Sequence, residues 1–363
     1  MDTSDPDIFF DSKGICNHCI RYQKELPKRL YKGELAKLEL NKVVNKIKKR
    51  GENQEYDCII GVSGGVDSTY VAYLSKELGL KPLAIHFDNG WNSELAVSNI
   101  ENTLDKLGID LFTYVINWNE FRDLQLSFLK SSTPDGEIPT DHAINALLFR
   151  EANKRGIKYI LSGMNFTTES ISVKKWSYGH SDWKYIRNIH KLFSKKKLKN
   201  YPHYSFFNIF WYTYVKGIKS VSILNYIDYH KENVMNIIQE KLGWVNYGGK
   251  HYESVYTRFF QGYILPKKFN IDKRRGHYSD LINSGQLSRQ EALEKLNIKD
   301  YKEELIRVDK EFVLKKLLLT ENEFDDIMNL PKKNYTFYTN NEKIVNFIKR
   351  VVNYLRFKGL YTK

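Results

Sequence analysis

At 363 residues, with 42% hydrophobic and 14% aromatic content, the chain is long enough for two domains with ample core and too apolar to be disordered. Lysine and arginine outnumber aspartate and glutamate 57 to 43, and the resulting +14 points to a polyanionic partner; nucleic acid, ATP and a nucleotide-linked sugar all fit. No run reaches the ~18 apolar residues of a membrane span, no basic-then-apolar leader opens the chain, and three cysteines make no disulfide framework, so a protein of the reducing cytoplasm without membrane insertion is expected.

Residues 1–50 form the first expected unit. A polar turn, Thr3-Ser4-Asp5-Pro6-Asp7, precedes Ile8-Phe9-Phe10 and the glycine turn Gly14-Ile15-Cys16-Asn17-His18-Cys19. Cys16 and Cys19 have the spacing of half a tetrahedral zinc site, a structural Zn2+ whose remaining ligands are missing here. His18 sits between them and points awkwardly for the same metal. A redox pair is the other reading, but no thioredoxin-like strand precedes it. Residues 23–50 read as a basic, polar-faced helix.

The second unit, residues 51–182, alternates strand and helix signals, which implies an α/β fold with a doubly wound parallel sheet. Strands are expected at Asp57–Val62, Pro82–Phe87, Leu111–Ile116 and Tyr159–Ser162. A helix at Glu94–Leu107 has Ser93 as N-cap and Gly108 as its stop, and another at Asp141–Arg155 lies between Thr140 and Gly156. After the first strand comes Ser63-Gly64-Gly65-Val66-Asp67-Ser68, followed at once by a helical face of Val71, Leu74 and Leu78. Adjacent glycines let the backbone turn sharply and gather N–H groups into an anion nest at a helix N-terminus. Ser63 and Ser68 add hydroxyls. Asp67 is out of place in an anion site unless a divalent cation bridges it to phosphate. In such sheets ligands bind beyond the carboxyl ends of the strands, so Asp88 and Asn89, with Gly163 and Asn165, are expected to converge with this loop; the alternative for Asp88 and Asn89 is an ordinary turn.

The third unit, residues 183–363, reads as a mostly helical C-terminal region for substrate and partner. Its Tyr-, Phe-, Trp- and Lys-rich start could suit single-stranded nucleic acid, but Phe206, Phe207, Ile209, Phe210, Tyr212 and Tyr214 read better as a packed helical face. Leu224 to Leu242 continues as helix. Next come Tyr247-Gly248-Gly249-Lys250-His251-Tyr252-Glu253 and Arg258, then Lys267 to Arg275, so that seven cations lie between Lys250 and Arg275 beside glycines and aromatics. Arginine forks and lysine charges suit phosphates and a leaving pyrophosphate, where a solvated basic face would be the plainer explanation. Ser288 with Glu291 forms a capping box opening one of the last helices.

The loop resembles the PP-loop of the ATP pyrophosphatases, which cleave ATP between the α and β phosphates and transfer AMP to a substrate oxygen. With Asp2-Thr3-Ser4-Asp5-Pro6, Cys16-x-x-Cys19, His86-Phe87-Asp88-Asn89-Gly90-Trp91, Tyr247–Gln261 and Lys267–Arg275, the chain is similar over nearly its whole length to the bacterial N-acetyl sugar amidotransferases of O-antigen and nonulosonic-acid biosynthesis. That family usually carries a further Cys-x-x-Cys just before the Asp-Thr-Ser-Asp-Pro segment, and Met1 lies within the segment, so a late start is expected.

The resemblance implies conversion of an acetamido group on a nucleotide-diphosphate N-acetyl sugar to acetamidino, with ATP and Mg2+, through an O-adenylyl imidate that ammonia attacks. Ser63, Gly64, Gly65, Asp67 and Ser68 would cradle pyrophosphate. Asp88, Asn89, Gly163 and Asn165 would frame the nucleotide; Lys250, Arg258, Lys273 and Arg274 would clamp phosphates; Glu253 would accept a proton. No glutaminase is visible in the sequence, so a HisH-like glutaminase and a HisF-like barrel subunit are the expected ammonia suppliers, with residues 183–240 as the expected docking region. The rival expectation is a PP-loop enzyme that modifies tRNA by thiolation or amidation, although no nucleic-acid module is recognised.

Overall fold

The structure is a computed structural model describing residues 1–298 and 301–357. Two helices, α1 (Asn17–Arg29) and α2 (Gly33–Arg50), stand where one basic helix was expected, parted at Leu30–Lys32. The parallel sheet comprises β1 (Cys58–Val62), β2 (Pro82–Asp88), β3 (Leu111–Val115), β4 (Tyr159–Ser162) and β5 (Lys219–Ser222) in the order β3-β2-β1-β4-β5. The first four match the expected strands. β5 was not foreseen: it pairs in parallel with β4, Tyr159 to Lys219 through Ser162 to Ser222. Four residues with polar Lys219, Ser220 and Ser222 give neither an apolar run nor a clear alternation, which is why an edge strand hid inside the aromatic region.

Period-two alternation splits the strands between two cores. Ile59, Leu83, Ile85 and Phe87 face one, covered by α5 (Trp118–Ser131) and α6 (Ile138–Arg155); Cys58, Ile60, Val62 and Ala84 face the other, with Val44, Ile47, Val71, Ile100 and Ile238. Each such side chain, fully buried, contributes about 1.5–3 kcal/mol. The strand order reverses at β1, whose neighbours β2 and β4 leave in opposite directions. The loop after β1 therefore lies at the topological switch point, where open α/β sheets bind ligands.

Between β1 and β2 runs α3 (Val66–Glu77), and α4 (Glu94–Leu107) follows β2 with the expected Ser93 cap and a left-handed Gly108. α6 begins three residues before the expected Asp141, because Pro139 fits the first turn of a helix. The expected Leu224–Leu242 helix is two pieces, a 3-10 turn at Ile223–Tyr226 and a helix at Lys231–Leu242; the break delivers Tyr229 and Lys231 to the loop after β1. Ser288 and Glu291 form the expected capping box. The rest of the C-terminal region is helical, anchored by Trp91, a fully buried side chain whose carbonyl accepts from Val255 N–H at 2.8 Å and whose ring lies 5.1 Å from that of Tyr256.

One packing expectation fails. The Phe206–Val215 segment is helical, but Phe206, Phe207, Phe210, Trp211 and Tyr214 are exposed and no residue of it is buried. Helical spacing identifies a face without saying whether anything covers it.

Candidate functional site

The Ser63–Ser68 loop is built for close backbone approach. Gly64 has φ +78°, and a Cβ there would lie 2.5 Å from the Ala96 carbonyl oxygen, so glycine alone fits. Ser63 Oγ and Ser68 Oγ are 3.2 Å apart, Gly65 N–H donates to Ser63 Oγ, and Ser68 Oγ donates to the Gly65 carbonyl. α3 has Gly65 as its N-cap and so no side-chain cap, leaving its first turn as an anion site. Gly163, at the end of β4, leans over it; a Cβ would sit 3.2 Å from the backbone of Asp67.

A cavity of about 490 Å³ opens on this loop. Ser63, Gly65, Asp67 and Ser68 line one side; Gly163, Glu169, Lys231, Lys250, His251 and Glu253 are among the other lining residues. Burial and then the nearby Glu169 carboxylate push the Asp67 carboxyl up, although Tyr229 donates a hydrogen bond to it. Lys250 Nζ lies 3.4 Å from Glu169 and 3.5 Å from His277 Nδ1. Burial, with Lys250 second, pulls the Lys231 ammonium below its ordinary range, and burial with Lys250 and Lys231 keeps His277 neutral. Burial also raises Glu253, but His251, 3.5 Å away, together with hydrogen bonds from the backbone and from Tyr247, outweighs it and holds the carboxyl below its ordinary range; one of its oxygens is buried with no hydrogen-bond partner. Three carboxylates, Asp67, Glu169 and Glu253, thus face one nest together with Lys231 and Lys250. Asp67 and Glu169 are the oxygen donors a hard divalent cation takes, and their mutual repulsion fits such an ion.

A second cavity of about 720 Å³ adjoins the first and shares Glu169, Lys231, Gly248, Gly249, Lys250 and His251 with it. Its far wall carries Trp176, Tyr252, His277, Asp280 and Tyr301, and burial pushes the Asp280 carboxyl up to about 6. Both cavities fall in the range of small-molecule sites.

The expected phosphate clamps divide. Lys250 reaches both cavities. Arg258 instead spends its fork on Asp309, at 2.6 and 2.7 Å; Lys273 pairs with Glu137 at 2.8 Å; Arg274 holds Asp272 and the carbonyls of Lys295, Leu296 and Ile298. All three border the second cavity, away from the loop.

Asp88 and Asn89 stand at the end of β2, where their oxygens accept from Gly90 and Trp91 N–H in a turn, and neither lines either of these two cavities. Asn165 caps the short helix after β4 through Thr168 N–H. Cys16 and Cys19 have sulfurs 3.4 Å apart, while His18 turns to Asp5 at 2.6 Å. Among the described residues no group of three or more His, Cys, Asp or Glu can hold a metal, so the expected half-site gains no further ligand there.

Sequence reading missed Glu169, Lys231, Tyr229 and His277. Lys231 alone left a trace, since a lysine opening a helix opposes the helix dipole.

Residues 253–352 match the family described as LPS biosynthesis protein WbpG-like, C-terminal domain, and residues 38–128 match NAD synthase. The tRNA-specific 2-thiouridylase MnmA of Proteus mirabilis is 30% identical over 129 residues, 31% of this chain and 34% of that protein, so the chain spans about a third of that curated relative. Among solved structures, a predicted subunit of a tRNA methyltransferase from Methanocaldococcus jannaschii is 16% identical, covering 50% of this chain and 74% of its own, with TM-score 0.30. NMN synthetase from Francisella tularensis is 14% identical, covering 52% and 98%, with TM-score 0.28. At likeness this low, neither structure informs the chemistry of this chain.

Proposed function

We propose that this chain, which belongs to the PP-loop ATP pyrophosphatase superfamily and carries a WbpG-like C-terminal domain, activates the acetamido oxygen of a nucleotide-linked N-acetyl sugar with ATP and yields an acetamidino sugar, AMP and pyrophosphate. The observation that supports this is the pair of adjoining cavities. One is floored by the nucleotide loop; about half the wall of the other comes from the segment carrying the WbpG-like match; Lys231, Lys250 and Glu169 stand on the boundary.

An amide carbon is a poor electrophile, and oxide is a poor leaving group. In this reading the acetamido oxygen attacks the α-phosphorus, and the bond to the bridging oxygen of pyrophosphate breaks. The amide N–H proton is lost, with Glu253, ionised and on the loop side, as acceptor. Ammonia adds to the imidate carbon, and AMP leaves carrying the former amide oxygen. The loop N–H groups, Ser63, Ser68, Lys231 and Lys250 hold the charge that builds on pyrophosphate. Asp67 and Glu169 would hold Mg2+, which when bound supplies charge neutralisation at the phosphates. Ammonia comes from a partner glutaminase, because a protected route spares it from protonation by bulk water.

The test is product analysis with ATP, ammonium and a UDP-linked 2,3-diacetamido sugar. AMP and pyrophosphate formed only with the sugar present support the reading; ADP and phosphate, or no dependence on the sugar, overturn it. The similarity to a tRNA thiouridylase favours a second reading, adenylation of a tRNA base, which sugar-independent AMP release with tRNA would establish.

A further inference from the structure

The Phe206–Val215 helix runs down the outside of α6. Its approach is fixed near the first turn of α6, where Tyr204 N–H donates to His142, and its end near β4, where Lys158 Nζ donates to the Lys216 carbonyl. Tyr212 leans inward, its ring stacked 6.0 Å from that of Phe149, and Ile209 is half-buried. Outward, Phe206, Phe207, Phe210, Trp211 and Tyr214 make a continuous stripe at helical spacing, with Phe207 70% and Tyr214 65% exposed. A stripe of large exposed aromatics on a single helix marks an interaction site.

The charge of the segment that carries it is one-sided. From Trp183 to Ile227 there is no Asp or Glu, while Lys184, Arg187 and Lys191, the run Lys195-Lys196-Lys197-Leu198-Lys199, and Lys216 and Lys219 supply nine cations, all exposed. These nine are most of the chain's net +14. Lys216 Nζ lies 5.6 Å from the Trp211 ring, so cation and aromatic share one patch. Among the described residues no helix is long and apolar enough to cross a membrane, so an element of this kind can lie on a bilayer but not span it.

We infer that the Phe206–Val215 helix docks the protein on an anionic lipid surface, its aromatic stripe entering the interface and its lysines meeting the headgroups. Charge complementarity selects the occupant. A second copy would bring the same uncompensated cations against these. Single-strand binders set aromatics along a groove among their cations, whereas this stripe projects from a helix with no buried residue. A subunit delivering ammonia has to reach the strand ends, and this helix runs away from them.

The test is co-sedimentation of the full chain with phosphatidylcholine vesicles, with and without phosphatidylglycerol, read together with tryptophan fluorescence. Binding is expected only with phosphatidylglycerol, weakening as salt rises, with a blue shift that Trp211→Phe abolishes. Phe207→Ser with Phe210→Ser and Tyr214→Ser should abolish binding without lowering Tm, since exposed positions leave the core intact. Lys216→Gln with Lys219→Gln should weaken it about thirtyfold. Absence of binding to anionic vesicles overturns the inference. So does binding that survives the triple substitution, or a patch-dependent affinity for single-stranded RNA or for a second copy in place of vesicles.

Discussion

Two sets of cations border the same pair of cavities, and the fold treats them in opposite ways. Lys231 and Lys250 stand at the mouth of the loop, crowded together and against Asp67 and Glu169. Arg258, Lys273 and Arg274 lie 8, 23 and 24 residues beyond Lys250, each already matched by a carboxylate: Asp309, Glu137 and Asp272. In sequence all five belong to one basic texture. What separates a cation available to a ligand from one already spent on the fold is its partner, and the partners of Arg258 and Lys273 lie 51 and 136 residues away.

The sharpest way to break this contrast is to remove Arg258. Asp309 is buried, and stripping it of its fork should cost about 3–5 kcal/mol, read as a loss of denaturant midpoint. Arg258→Met combined with Asp309→Leu should recover most of that loss and keep measurable AMP formation. Activity that disappears while stability is regained would return Arg258 to the chemistry.

On the loop, Ser63→Ala and Asp67→Asn should each cut pyrophosphate release about 10²–10³-fold with the fold intact. Lys250→Met and Lys231→Met should cost less, about tenfold to a hundredfold, and chiefly in kcat, because the charge they meet grows as pyrophosphate departs. An effect confined to the KM for ATP would make them ground-state binders.

The smallest expected effect is one of pH. Burial and Glu169 hold the Asp67 carboxyl above its ordinary range, so the folded chain binds that proton more tightly than the unfolded one. The associated stability is complete below the unfolded pKa of about 3.9 and is lost as pH rises through the folded value. Asp67→Asn should therefore raise the Tm of ligand-free protein at pH 7, and the gain should vanish near pH 4. A variant of lower Tm at pH 7 would mean that Tyr229 stabilises the ionised form after all.

Local signals account for what could be read from the chain beforehand. Ile59 and Ile60 before two glycines, one at φ +78°, define a strand and a nest within a dozen residues, and the caps at Ser93, Gly108 and Ser288 act over three or four. β5 was hidden because an edge strand of four residues needs no apolar pattern. Glu169, Tyr229 and Lys231 were hidden because each is a single residue carried to Asp67 by packing. The aromatic stripe was misread for the same reason: amphipathic spacing fixes a face, and only the fold decides what lies against it.

The most direct measurement tracks one oxygen. With the acetamido group of the sugar labelled with 18O and a full turnover allowed with ATP and ammonium, the label should appear in the phosphate of AMP, because that oxygen attacked the α-phosphorus and left with it. Label found in inorganic phosphate, in water or still in the sugar product would contradict the account.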